Sequence, residues 1–101
     1  MKQTLISYKT KPDRSEENAQ LIRAVFDELR KQAPSSLGYL VLRAENGQYF
    51  HFVQTDDGAS PLNELAAFAA FQNNVRERLL GPPLVRELAL VGSYGMLENA
   101  S

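Results

Sequence analysis

A single histidine, His51, stands in the run Gln48-Tyr49-Phe50-His51-Phe52-Val53. An unperturbed imidazole titrates near pH 6.5 and can accept a proton at neutral pH, which makes His51 the candidate general base. Tyr49 lies two positions away and in an extended strand shares the face of His51, so the two are candidates for a proton-transfer pair. No motif fixes a partner for the imidazole, and the same alternation with Phe50 and Phe52 also fits a hydrogen-bonded core or interface histidine. Tyr8 and Gln72 are candidates for orienting a ligand carbonyl or hydroxyl in an apolar cavity, with satisfied core polarity as the other reading. Phe26, Phe68 and Phe71 recur at helical spacing and suit either the wall of such a cavity or plain core.

The residues that are missing narrow the chemistry further. Cysteine is absent from the 101 residues, which excludes a disulfide, a thiolate metal site and a thiol nucleophile. With one histidine besides, a metal site of the usual ligand sets is not expected. There is no glycine-rich phosphate loop, serine nucleophile motif or dinucleotide fingerprint, so no cofactor is expected either. The carboxylates are scattered: Asp56 and Asp57 fall in a turn, and Glu16 and Glu17 open a helix whose dipole favours them. A formal charge of −1 and a pI near 5.8 give no general attraction to nucleic acid or acidic membranes. The start MKQTLISYK lacks the pattern of a signal peptide, and no run approaches the roughly 20 apolar residues of a membrane span. A cytoplasmic protein with small or neutral partners is expected.

The elements that must position these residues follow from periodicity and turn chemistry. Residues 37–55 read as a hairpin turning at Asn46-Gly47, since both central residues of a type I′ turn need positive φ. In that two-residue turn Glu45 faces Gln48. Leu40, Leu42 and Ala44 then share a face with Tyr49, His51 and Val53, while Tyr39, Val41 and Arg43 share the other with Phe50, Phe52 and Gln54. Residues 3–9 make a first strand stopped by Pro12 and Asp13. A helix should begin near Arg14, capped by Asp13 or Ser15, with Ala19, Ile22, Val25, Phe26, Leu29 and Ala33 on one side; Pro34 and two serines end it. The DDGAS loop leads to a second helix capped by Ser60, starting at Pro61 and running to about Leu80. Its stripe is Leu65, Phe68, Phe71, Val75 and Leu79, and Gln72 sits about 40° from Phe68, pointing inward. Gly81 suits the left-handed end, and Pro82 and Pro83 prevent continuation. Residues 84–92 form a last strand, and past Tyr94 the tail is polar and frayed.

The order strand, helix, strand, strand, helix, strand builds an α+β ferredoxin-like βαββαβ sandwich over residues 1–101, one domain with a four-stranded antiparallel sheet and two helices on one face. The other sheet face stays uncovered although the hairpin and the last strand are apolar on both sides. An apolar patch of that extent marks an interaction surface, and a second copy packed sheet to sheet at about 10 Å is the simplest cover, so a homodimer is expected.

The run Asn63-Glu64-Leu65 through Ala70-Phe71-Gln72, then Arg76-Glu77-Arg78, Pro82-Pro83 and Leu90-Val91-Gly92-Ser93-Tyr94, resembles small bacterial proteins of the dimeric α/β barrel superfamily, grouped with antibiotic biosynthesis monooxygenases. The residue-level likeness is confined to about the last forty positions and mostly specifies structure. The resemblance implies dimerisation through the sheets into an α/β barrel, and a pocket for a small aromatic or acyl ligand between sheet and helices. Oxygenases of that superfamily tend to use an asparagine on the first strand with tryptophan and either tyrosine or histidine. Here tryptophan is absent, the first strand offers Ser7 and Tyr8, and the histidine is on the third strand, so the fold transfers better than the activity.

Two classes of function remain. The first is a small-ligand protein acting as a cofactor-independent monooxygenase or related proton-transfer enzyme on an aromatic or polyketide-like compound. The alternative is a non-catalytic small-molecule binding or sensing module. RNA recognition domains share the element order and stack bases on third-strand aromatics, but Asn46-Gly47-Gln48-Tyr49 breaks their motif and the charge is wrong, so no nucleic-acid partner is expected.

Overall fold

A computed structural model describes residues 2–56 and 60–96. Strand β1 (Lys2–Lys9) is followed by a 3₁₀ turn at Pro12–Arg14 and helix α1 (Ser15–Gln32), then strands β2 (Leu37–Arg43) and β3 (Gln48–Thr55). A second 3₁₀ turn at Pro61–Glu64 leads to α2 (Ala66–Gln72), α3 (Val75–Arg78) and strand β4 (Leu84–Leu88). The four strands form one antiparallel sheet in the order β2-β3-β1-β4, the ferredoxin-like arrangement expected of the βαββαβ pattern.

The hairpin pairs one residue out of the expected register. Ala44 N–H donates to Gln48 O, Gly47 N–H donates to Ala44 O, and within the Glu45-Asn46-Gly47 loop only Gly47 has a positive φ, at 87°. This is a three-residue loop, a type I turn closed by a glycine in the left-handed region, rather than a two-residue type I′ turn. Arg43 therefore faces Tyr49, Val41 faces His51 and Tyr39 faces Val53. The expected grouping is corrected: Tyr39, Val41 and Arg43 share a face with Tyr49 and His51, and Leu40 and Leu42 go with Phe52 and Phe50, because a one-residue slip reverses every side chain. Gly47→Ala should cost about 1 kcal/mol in urea unfolding through the left-handed φ alone. A Cβ there would meet the nearest atom, Thr10 Oγ1, at an ordinary 3.4 Å.

Helix α1 lays Ala19, Ile22 and Val25 against the sheet as its spacing requires, and Asn18 is buried with them. Neither expected side-chain cap forms at its start; Arg14 occupies the capping position without a side-chain bond. The chain leaves α1 through Ala33, whose φ of 46° places it in the left-handed region before Pro34.

The second helix is not continuous. Ser60 does cap the segment, accepting from Leu62 N–H at 3.2 Å, but Leu65 is extended, and the chain breaks again at Asn73 and Asn74, where Asn74 takes φ 58°. Asparagine tolerates that conformation through its short polar side chain, so the pair ends α2 two turns early. Helix α2 still docks on α1, with Ala67 N–H donating to the Glu28 carboxylate at 2.8 Å, an anion at a helix N-terminus. β4 ends at Leu88 rather than residue 92. The DDGAS turn at residues 57–59 and the tail beyond residue 96 lie outside the described residues.

The core fills the space between one sheet face and the helices: Tyr8, Ala19, Ile22, Val25, Tyr49, Leu62, Leu65, Phe71 and Leu79 are buried. The opposite face carries Leu5, Leu40, Leu42, Phe50, Phe52, Leu84 and Leu88 by register. Beyond β4, Val91 and Tyr94 are almost fully in contact with solvent.

Candidate functional site

The helix-facing side of the sheet brings one residue from each of three adjacent strands into line: Tyr8 of β1, His51 of β3 and Tyr39 of β2. The imidazole lies between the two phenols. Its Nε2 is 2.6 Å from the Tyr8 hydroxyl and its Nδ1 is 2.7 Å from the Tyr39 hydroxyl, both short enough for strong hydrogen bonds. Ring contacts hold the group in place, with Tyr39 stacked on Phe26 at 5.0 Å and Phe71 tilted against His51 at 5.7 Å.

The chain of polar contacts continues inward. Asn18 of α1 donates from Nδ2 to the Tyr8 hydroxyl at 3.0 Å and accepts at Oδ1 from Arg78 Nε at 2.9 Å. Asn18 is 0% and Arg78 1% exposed. Arg78 also donates to Phe71 O at 2.5 Å and Asn73 O at 3.3 Å, and its guanidinium lies 5.3 Å from the Phe71 ring centre. The broken helix makes this possible: carbonyls freed where α2 stops at Asn73 are the ones the guanidinium collects. Among the described residues no carboxylate forms a direct ion pair with Arg78; carbonyl and amide dipoles, the Phe71 ring face and the more distant Glu17 carboxylate offset its charge.

Burial sets the protonation states. It lowers the His51 pKa to about 4, so the imidazole is neutral at physiological pH. Burial likewise raises the Tyr8 and Tyr39 hydroxyls above the ordinary phenol range, keeping both protonated. It pulls the Arg78 guanidinium down from its usual value, though arginine stays charged at any physiological pH.

These groups form one wall of a cavity of about 670 Å³ between the sheet and the broken helical segment. Tyr8, Tyr39 and His51 face it from the sheet; Leu62, Phe68 and Phe71 close it from the other side. The volume suits a small organic molecule of drug-like size, and the composition is the usual one, apolar walls with a few convergent polar groups. Such a site can place a flat apolar ligand against the aromatic rings and hydrogen-bond one of its oxygens. Among the described residues no cluster of three or more His, Cys, Asp or Glu could hold a metal ion, and no helix is long and apolar enough to cross a membrane.

The residues singled out from the sequence fall in different places. His51, Tyr8, Phe68 and Phe71 line the cavity. Phe26 stands behind it, reaching the site only through its stack on Tyr39. Gln72 touches the rim but is exposed instead of pointing inward, because the stripe centres on Phe71 and places Gln72 about 100° away toward water. Tyr49 does not line the cavity. Strand neighbours two apart are roughly 6.5 Å from each other. The Tyr49 hydroxyl instead donates to Ser15 O at 2.8 Å and accepts from Arg43, tying β3 to the start of α1. The hydrogen-bond partners of His51 are thus Tyr8 and Tyr39, with Tyr49 stacked on the far side of Tyr8 at 5.4 Å.

Sequence reasoning missed Tyr39, Asn18 and Arg78. Tyr39 was hidden by the register slip. Asn18 and Arg78 carried a signal, since 18, 22, 25 and 29 are helically spaced, as are 71, 75 and 78; each is a polar residue inside an apolar stripe.

No family model matches the chain, and no curated protein matches it. Solved structures do. A protein of Nitrosomonas europaea, provisionally named an antibiotic biosynthesis monooxygenase, superposes with TM-score 0.73 at 13% identity, over 93% of each chain. One from Caulobacter crescentus with the same provisional name gives 0.70 at 18% identity over 90% of each chain. A structure named antibiotic biosynthesis monooxygenase gives 0.67 at 18% identity, covering 91% of this chain and 100% of the other. At these identities the likeness is one of architecture: the chain has the ferredoxin-like α+β fold of the antibiotic biosynthesis monooxygenase structures.

Proposed function

We propose that the protein binds a small aromatic or polyketide-like compound in the cavity beside His51 and acts on it as a cofactor-independent, monooxygenase-like or related proton-transfer enzyme. The observation that carries this reading is the neutral imidazole held between two tyrosine hydroxyls at the wall of an otherwise apolar cavity. A ligand oxygen placed at Tyr39 connects to His51 and Tyr8 through bonds already formed, so a proton can move along the row with little rearrangement. The fold shared with structures named as monooxygenases supports the same class.

Titration with a panel of hydroxyaromatic compounds and their quinones, followed by oxygen uptake on the binders, tests the reading. Binding in the micromolar range with turnover that falls at least tenfold in His51→Gln is expected. Binding without turnover makes the protein a carrier or sensor, and absence of binding removes the proposal altogether.

We also infer that two copies pack through the outer sheet face. Leu42 and Leu84 are each about half exposed there, at 49% and 50%, and the chain beyond β4 presents Leu90, Val91, Tyr94 and Met96 to solvent. Leaving these in water forfeits burial worth about 25 cal/mol per Å². Sedimentation equilibrium at tens of micromolar should return the dimer mass; a monomer would contradict the shared-sheet assembly.

A further inference from the structure

We propose that Arg78 sets the direction of every hydrogen bond in the row through Asn18, Tyr8 and His51, so that the Tyr39 hydroxyl points its proton into the cavity and the site selects ligands that present an acceptor oxygen. This rests on the small-ligand reading of the cavity and adds the chemical class of the atom that is recognised.

Each step follows from the donors and acceptors on either side of it. A guanidinium has only donors, so the Asn18 atom 2.9 Å from Arg78 Nε is the oxygen. The Asn18 amide nitrogen must then face Tyr8, 3.0 Å away, and donate to its hydroxyl oxygen. Tyr8 is buried, and the remaining partner of its own proton among the described residues is His51 Nε2 at 2.6 Å. A nitrogen that accepts from Tyr8 carries no proton. Neutral imidazole has one N–H, which therefore sits on Nδ1 and donates to the Tyr39 oxygen at 2.7 Å. Tyr39 has thereby filled its acceptor site facing the protein, and its proton has no acceptor among the described side chains. The opposite tautomer would make the Tyr8 oxygen accept from both Asn18 and His51 and leave its proton without an acceptor on a residue 7% exposed, which costs more than leaving free the proton of the half-buried Tyr39.

The consequence is a preference by ligand type. A quinone or enolate oxygen accepts from Tyr39 directly, whereas a neutral phenol must turn its lone pair toward the site and leave its own proton without a partner. Asn18 and Arg78 act only through their neighbours and are positioning residues. The Tyr39 hydroxyl is the group that touches the ligand.

Asn18→Asp supplies a nearly isosteric reversal. A carboxylate accepts from Arg78 with one oxygen and from the Tyr8 hydroxyl with the other, so the Tyr8 oxygen must accept from His51 Nε2–H, Nδ1 must accept from Tyr39, and the phenol at the cavity becomes an acceptor. Nitrogen-15 NMR of the histidine ring reads this without any ligand. The Nδ1–H tautomer is expected in the unaltered protein and the Nε2–H tautomer in Asn18→Asp. In parallel, 1,4-naphthoquinone should bind roughly three- to tenfold tighter than 1-naphthol, a preference lost in Tyr39→Phe and inverted in Asn18→Asp. An Nε2–H tautomer in the unaltered protein, or an unchanged tautomer in a folded Asn18→Asp, overturns the proposal. Should Asn18→Asp not fold, the tautomer of the unaltered protein and the Tyr39→Phe comparison still decide. If the tautomer is as stated and neither naphthalene compound binds, the assignment of the cavity fails while the ordering of the row stands.

Discussion

Arg78→Met is expected to destabilise the protein by about 3–5 kcal/mol, because it removes the donor for three acceptors at once and leaves two of them, Asn18 Oδ1 and Phe71 O, buried. Asn18 Oδ1, Phe71 O and Asn73 O all receive hydrogen bonds from this one guanidinium. Each acceptor left unmade costs about 1–3 kcal/mol, with the 3.3 Å contact to Asn73 at the low end. Against a total stability of roughly 5–15 kcal/mol that is a large share, and the melting temperature should fall by about 15 °C or more. Removing a buried charge is by itself favourable, so the loss has to come from the orphaned partners. Pairing the change with Asn18→Leu, which removes one of those partners, should restore a measurable part of the loss in a double-mutant cycle. A single-mutant loss under 1 kcal/mol would show that water or repacking satisfies the acceptors.

The second large effect is a pH dependence carried by His51. In the unfolded chain its pKa is near 6.5, and in the native protein burial lowers it to about 4. Between those values the unfolded state binds the extra proton and the native state does not, so stability falls as the pH is lowered from 6.5 toward 4 and is fully present above that window. Full development of the shift corresponds to roughly 3 kcal/mol. The groups facing the imidazole are the Tyr8 and Tyr39 hydroxyls and the Phe71 ring, with the Arg78 charge beyond Asn18; none offers a negative charge to offset protonation. Exposed carboxylates such as Glu16 and Glu17, whose pKa values are lowered by arginine partners, titrate in the same direction. Subtracting the profile of His51→Gln isolates the histidine. Superimposable profiles for the two proteins would mean that His51 is accessible to water and not held neutral by burial.

Much of this architecture is written in local patterns. The helical spacing of Ala19, Ile22 and Val25, the proline and serine at Pro61 and Ser60, and the β-branched first strand each specify their element without help from the rest of the chain. The two misreadings that moved most side chains arose where one short sequence serves two geometries. Asn46-Gly47 closes a two-residue turn or, with Glu45, a three-residue one, and in the folded chain the Gly47 carbonyl of the three-residue loop accepts from Thr10 N–H and Oγ1, a contact from just past β1 that the local sequence does not show. Asn73-Asn74 reads as tolerable helix until the guanidinium of Arg78 claims the carbonyls that a break would free. The site suffered most from the first error. One residue of slip hid Tyr39, closeness along the strand alone made Tyr49 look like the partner of His51, and Tyr8, from a different strand, could be paired with the imidazole only once the sheet order was known. Asn18 and Arg78 were legible as polar breaks in apolar stripes, and tracing what each would need as a partner leads from one to the other.

A small aromatic ligand is proposed to occupy the cavity walled by His51, Tyr39 and Phe71. Chemical-shift mapping during a titration with 1,4-naphthoquinone tests it most directly, since it reads where the ligand sits whether or not turnover follows. Saturable shifts concentrated at His51, Tyr39, Tyr8 and Phe71 are expected, with Phe50 and Leu84 on the outer sheet face unmoved. Shifts confined to the outer face, or none at millimolar ligand, would contradict that placement.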